Sequence, residues 1–154
     1  MNTLKAGDRA PDFKLTDQNG KSLILKDFKG KKLLIYFYPK ANTSGCTAQA
    51  CNVRDNLSIL KKKCIEVVGI SPDPIDAQKK FDLKYNLSFP LLSDEHHKVA
   101  ESYGVWGVKS MYGKKYMGII RSSFLIDENG KILASWYKVK PEDTVSNVLE
   151  IIKR

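Results

Sequence analysis

The chemistry of this chain concentrates at Thr43-Ser44-Gly45-Cys46, a cysteine placed between a loop and a helical pattern. An apolar run closed by Pro39 precedes it, so Cys46 falls in the first turn of a helix that follows a buried strand. Backbone N–H groups are unpaired there and the helix dipole is positive, which stabilises a thiolate. A thiolate so placed is a nucleophile. Thr43 stands three residues earlier, where a hydroxyl can reach the sulfur or whatever the sulfur attacks, and Pro39 stiffens the approach. The plainer reading of Cys46, a small buried hydrophobe on a core stripe, suits a Thr-Ser-Gly-Cys junction poorly. Arg121 is the second candidate. Of 26 basic residues only Arg9, Arg54, Arg121 and Arg154 are arginines, and Arg121 directly precedes an apolar strand. A planar guanidinium gives two parallel hydrogen bonds to adjacent oxygens and keeps its charge when partly buried. Its plainer alternative is a strand-end ion pair.

Other polar residues point elsewhere. Arg54 has two open readings, a place in the same network or a helix-surface pair with Asp55. His96 and His97 are adjacent, so they point apart; with no second ligand pair at suitable spacing they read as exposed residues in a helix's first turn, and no metal is expected. Cys64, at the end of the helical stripe, reads as a core residue. Trp106 and Trp136 read as packing residues.

The elements that hold these residues alternate in type. Asp12–Thr16 and Ser22–Leu25, joined through Asn19-Gly20, predict a hairpin near the N-terminus. Lys32–Tyr38 is a continuous apolar run, as in a central strand covered on both faces. A long helix is predicted from about Gly45 to Lys63, with residues 46, 50, 53, 57, 60 and 64 on one stripe. Ile65–Ser71 predicts a second buried strand and Pro74–Tyr85 a helix. Phe89–Leu92 is a short extended piece, and Asp94 can cap a helix reaching Tyr103. Residues 104–120, with four glycines and little periodicity, read as loop. Ser122–Ile126 and Ile132–Tyr137 flank Glu128-Asn129-Gly130 as a second hairpin, and Pro141–Lys153 closes the chain as a helix. The expectation is one α/β domain over residues 1–154, a mixed central sheet flanked by helices.

Composition removes other classes. With 42% hydrophobic and 28% charged residues over 154 positions, the chain buries a core and is not disordered by default. It has no apolar stretch of membrane-spanning length and no secretion signal in its first dozen residues, so the reading is cytoplasmic. Three cysteines in that setting are not a disulfide framework. The net charge of +9 is carried mostly by scattered lysines, a solvated surface that predicts neither a nucleic-acid nor a membrane partner.

Pro39-x-x-x-Thr43-x-x-Cys46 resembles the active-site pattern of peroxiredoxins. The wider block from Tyr36 to Asp55 is similar to the bacterioferritin comigratory protein (PrxQ) branch. The likeness continues through Gly7–Phe13, Val68–Asp73, Phe89–Asp94 and Arg121–Asp127. It implies a thioredoxin-like fold and thiol peroxidase activity toward hydrogen peroxide and organic hydroperoxides, in antioxidant defence and redox homeostasis. It also implies roles. Cys46 is the peroxidatic cysteine; Thr43, Gly45 and Arg121 hold the substrate; Pro39 shields the sulfur; and Cys51 resolves the sulfenic acid as an intramolecular Cys46–Cys51 disulfide. Thioredoxin or a similar dithiol recycles it, with no cofactor. A chain without a long C-terminal extension is expected to be a monomer or weak dimer. Departures from the branch are Ser44 where proline is frequent, Ala41 and Asn42 where acidic residues are, and Gln49 where glutamate is usual. Two rival classes remain in view. A thioredoxin-like disulfide oxidoreductase normally needs Cys-x-x-Cys, whereas this pair is Cys-x-x-x-x-Cys. A basic binding module without peroxidase activity would not need Thr43 and Arg121 beside Cys46.

Overall fold

A computed structural model describes residues 3–153; Met1, Asn2 and Arg154 lie outside them. Among the described residues nine strands and five α-helices follow in the order β1 Lys14–Thr16, β2 Ser22–Ile24, β3 Lys32–Phe37, α1 Ser44–Asp55, α2 Leu57–Lys62, β4 Ile65–Ser71, α3 Ile75–Tyr85, β5 Leu91–Ser93, α4 Lys98–Ser102, β6 Trp106–Met111, β7 Lys114–Ile119, β8 Ser122–Ile126, β9 Ile132–Trp136 and α5 Thr144–Ile152. Seven strands form one sheet in the order β2-β1-β5-β4-β3-β8-β9. Strand β3 runs parallel to β4, and β4 to β5, while β8 lies antiparallel to β3 with Phe37 opposite Ser122. This is the mixed sheet expected of a thioredoxin-like fold. Among the described residues no helix is long and apolar enough to cross a membrane.

The unbroken apolar run of β3 follows from its place at the centre of the sheet. Leu33, Ile35 and Phe37 pack on one face with Phe124, Ala100 and Tyr103. Leu34, Tyr36 and Tyr38 pack on the other with Ala50 and Val53 of α1, Leu60 of α2, Phe81 of α3 and Val148 of α5. The buried phenols of Tyr36 and Tyr38 carry pKa values pushed above the ordinary 10.0, chiefly by burial. The folded chain therefore keeps these protons where the unfolded chain loses them. The stability they contribute is present below the unfolded pKa and is lost as pH rises. The denaturation midpoint should accordingly fall as pH climbs through about 10; a midpoint unchanged at higher pH would mean that these phenols ionise in place.

Four sequence readings need correction. The helix expected over 45–63 is two helices, broken at Asn56, whose Nδ2 donates to the Asn52 carbonyl oxygen at 2.8 Å. Residues 104–120 are not loop but contain the β6–β7 hairpin, which turns at Tyr112-Gly113, both with positive φ, as a two-residue hairpin turn requires. The hairpin shows no polar–apolar alternation because much of both its faces is exposed. Cys64 is exposed rather than core, because its positive φ of 59° turns the chain out between α2 and β4. His96 and His97 precede α4, which starts only at Lys98; His96 is exposed, and the half-buried His97 ring stacks on Trp106 at 3.8 Å. The N-cap position is His97 rather than Asp94, but the Asp94 carboxylate accepts the N–H groups of Val99 and Ala100 from four residues before the helix.

Candidate active site

The C-terminal end of β3 leads through Pro39 into a loop and then into α1, which places Cys46 at the third helical position after Thr43. The loop is anchored from beneath. The Ala41 N–H donates to Asp73 Oδ2 at 2.7 Å, and the Ser71 hydroxyl donates to the same oxygen at 2.7 Å. Gln78 Nε2 donates to Ser71 Oγ at 2.9 Å, and Gln78 Oε1 accepts from the Tyr38 hydroxyl at 2.5 Å. A hydrogen-bonded polar chain of this kind, buried at Tyr38, Ser71 and Gln78, fixes backbone position. Asp73 and Gln78 lie away from the cysteine in sequence; Asp73 entered the reading only as the end of the Val68–Asp73 block, and Gln78 carried no signal.

Cys46 is 1% exposed and its thiol is free. Arg121 reaches it because β8 is antiparallel to β3: the start of β8 lies beside the end of β3, and Arg121 is the residue before that start. Both terminal nitrogens, Nη1 and Nη2, lie 3.5 Å from Cys46 Sγ and donate toward it. Nη1 also donates to Gln49 Oε1 at 2.6 Å, and Gln49 Nε2 donates to Thr144 Oγ1 at 2.8 Å. Gln49 is fully buried one turn along α1 from Cys46. It orients the guanidinium as a neutral acceptor and leaves its positive charge uncompensated for an anion at the sulfur. Thr144, at the start of α5, carried no signal in the sequence.

Thr43 is exposed, and its hydroxyl donates to the Lys40 carbonyl oxygen at 2.8 Å. With that proton engaged, the oxygen presents lone pairs and is available as an acceptor. Pro39 is half-buried at the loop entrance. Gly45 has a role in space: a Cβ there would stand 3.2 Å from Arg121 Nη2 and 3.6 Å from Pro141 Cγ. A Gly45→Ala change should therefore push the guanidinium by a few tenths of an ångström. It should slow oxidation by hydrogen peroxide about three- to tenfold in single-turnover measurements. An unchanged rate would mean that Arg121 shifts without cost.

Cys51 is half-buried, in the same helix as Cys46 and not bonded to it. Arg54 takes the second of its two readings, with Nε donating to Asp55 Oδ1 at 2.9 Å and Nη1 to the Tyr85 carbonyl oxygen at 2.6 Å. Lys109, on the hairpin, is a cation that the sequence did not single out. Burial, and after it the nearby Arg121, hold its ammonium below the usual lysine range. Among the described residues no group of three or more His, Cys, Asp or Glu side chains could hold a metal ion.

Residues 6–135 match the AhpC/TSA family. The chain is 57% identical over 132 residues to peroxiredoxin Bcp of Escherichia coli (strain K12), covering 86% of this chain and 85% of that protein. It is 44% identical over 151 residues to peroxiredoxin Bcp of Bacillus subtilis (strain 168), covering 98% and 96%. Among solved structures, the bacterioferritin comigratory protein of Xanthomonas campestris superposes with a TM-score of 0.89 at 32% identity, covering 96% of this chain and 97% of that one. That protein was trapped in intermediate and ligand complexes bearing on its alkyl peroxide reduction.

Proposed function

The chain belongs to the AhpC/TSA family, in its Bcp (PrxQ) branch, and is a thiol peroxidase; from that premise we propose that Cys46 is the peroxidatic cysteine and Cys51 its resolving partner. The carrying observation is the two-pronged approach of Arg121 to the Cys46 sulfur at 3.5 Å. The thiolate attacks the terminal hydroperoxide oxygen. An S–O bond forms, the O–O bond breaks, and the leaving oxygen takes a proton to depart as water or alcohol. Charge moves from sulfur to the leaving oxygen, and a fork of two donors follows that movement without reorganising. Thr43 accepts the peroxide O–H, the open backbone at Gly45 gives the substrate room, and Pro39 screens the sulfenic acid from water. Cys51 then displaces hydroxide from that sulfur, released as water, and a disulfide forms. Thioredoxin or a similar dithiol returns both cysteines to thiols.

The substrates are hydrogen peroxide and organic hydroperoxides, the latter supported by the alkyl peroxide activity of the Xanthomonas relative. The setting is the cytoplasm, and the protein acts as a monomer or weak dimer. The test is peroxide-dependent NADPH oxidation coupled through thioredoxin and thioredoxin reductase. Wild type should turn over and Cys46→Ser should fall to background. Activity retained by Cys46→Ser would remove the cysteine from the mechanism.

A further inference from the structure

The β6–β7 hairpin forms a two-stranded sheet separate from the main one. Of nine large apolar side chains exposed among the described residues, five lie on it: Val108, Met111, Tyr112, Tyr116 and Met117. Tyr112, at the turn, is 98% exposed. The register divides them between two faces: Met111 and Tyr116 share one with Lys109 and Lys114, and Val108 and Met117 lie on the other with Lys115. The first face carries the Lys109 stem, and apolar groups exposed there beside the Tyr112 turn mark an interaction surface. Lys114, on that face, is exposed and without a salt bridge among the described residues.

The hairpin begins at the active site. Strand β7 ends at Ile119, two residues before Arg121, and the Ile120 N–H donates to the Val105 carbonyl oxygen at 2.7 Å, closing the base. The Lys109 stem lies diagonally over Gly118 toward that base, its Cδ 3.1 Å from where a Cβ would stand. Six residues per strand, at about 3.3 Å each, carry the tip roughly 20 Å from the base. A small hydroperoxide at Cys46 cannot cover that length. A protein partner, whose footprint is commonly about 800 Å² on each side, can.

Resting on the peroxidase cycle above, we propose that this hairpin docks the dithiol reductant protein, through a partner face that is apolar with acidic residues. Docking there brings the reductant to the side of the site where Arg121 enters. One reductant thiolate attacks the Cys46–Cys51 disulfide, forming a mixed disulfide and freeing the other protein sulfur as a thiolate. The reductant's second thiol then displaces the mixed disulfide. Two electrons and two protons pass to the protein, and the reductant leaves as its own disulfide. A second copy of this chain fits the surface less well, because two lysine-bearing hairpins would meet.

The experiment compares Met111→Ser/Tyr112→Ser and Lys114→Glu variants with wild type, using hydrogen peroxide and either thioredoxin with its reductase or dithiothreitol. With thioredoxin, kcat/KM should fall about tenfold in each variant, and the wild-type value should decline with salt. With dithiothreitol, turnover should stay within about twofold of wild type, which also reports intact folding. Variants undiminished with thioredoxin overturn the docking surface, and equal losses with both reductants overturn it by placing the hairpin in the peroxide step. Wild type active with dithiothreitol but not thioredoxin overturns the assigned reductant instead. Unchanged thioredoxin kinetics, with loss of binding to phosphatidylglycerol vesicles or of a concentration-dependent dimer, would give the surface to lipid or to a second copy.

Discussion

Arg121→Lys should slow the single-turnover oxidation of Cys46 by hydrogen peroxide by about a hundredfold or more, while the fold survives. The change keeps the charge and removes the fork. In the structure one guanidinium makes three contacts, two to Sγ at 3.5 Å and one to Gln49 Oε1 at 2.6 Å. A lysine ammonium is a compact point charge on a flexible stem and does not hold two parallel bonds to a moving pair of atoms. Removing one preorganised donor from a developing anion typically costs about 10²–10³ in rate. The fold should persist because Arg121 is half-exposed and strand pairing starts only at Ser122, opposite Phe37. Wild-type single-turnover kinetics in Arg121→Lys, with an unchanged thermal midpoint, would show that the forked geometry is not needed for the peroxide step.

Gln49 explains why the fork is so placed. Its Oε1 takes one N–H from Arg121, and its Nε2 is held by Thr144. The chain Thr144–Gln49–Arg121–Cys46 thus runs from the start of α5 through α1 to the strand end before β8. All three elements have to pack before the sulfur meets its cation. A glutamate at position 49 would place a negative charge against the guanidinium; glutamine supplies the acceptor without it.

Residues whose placement is set by local backbone were readable in the sequence. Cys46 at a helix start, Pro39 at a strand end, the buried run of β3 and the hairpin at Asn19-Gly20 all depend on neighbours within a few positions. Arg121 was readable for a different reason, as one of four arginines in a lysine-rich chain. What escaped is set by partners far along the chain. Asp73 anchors Ala41 from 32 residues away and Thr144 holds Gln49 from 95. The β6–β7 hairpin escaped because much of both its faces is exposed, which erases the period-two pattern that reveals a half-buried strand. The break at Asn56 escaped because the apolar stripe continues in phase through Leu57 and Leu60.

After peroxide treatment, Cys46 and Cys51 should form an intramolecular disulfide, and α1 should unwind to allow it. Both cysteines lie within the helix Ser44–Asp55. Five residues of regular helix give ~7.5 Å of rise and about 140° of net rotation, so the Cα atoms stand roughly 8.5–9 Å apart. A disulfide needs about 4.4–6.8 Å with the side chains turned toward each other. Distance and direction fail together, so the intact helix does not close the bond. Opening must withdraw Ala50 and Val53, both fully buried, and break the Arg121–Gln49 contact. Re-exposing one valine costs about 1.5–3 kcal/mol, a cost within the range of local opening rather than global unfolding. The break at Asn56 limits the spread: α2 has its own start at Leu57, and Leu60 remains packed against the sheet face. Cys64 lies beyond α2, exposed at the turn into β4, so the opening of α1 does not bring it to Cys46. Hydrogen exchange in reduced and oxidised protein should therefore differ most across residues 45–55 and little across α2. Peptide mass spectrometry should find Cys46 bonded to Cys51, and Cys51→Ala should lose most thioredoxin-driven turnover while keeping its first-turnover reaction with peroxide. A Cys46–Cys64 bond, a disulfide between two chains, or wild-type thioredoxin turnover in Cys51→Ala would overturn the scheme, because Cys46 would then be resolved without opening α1.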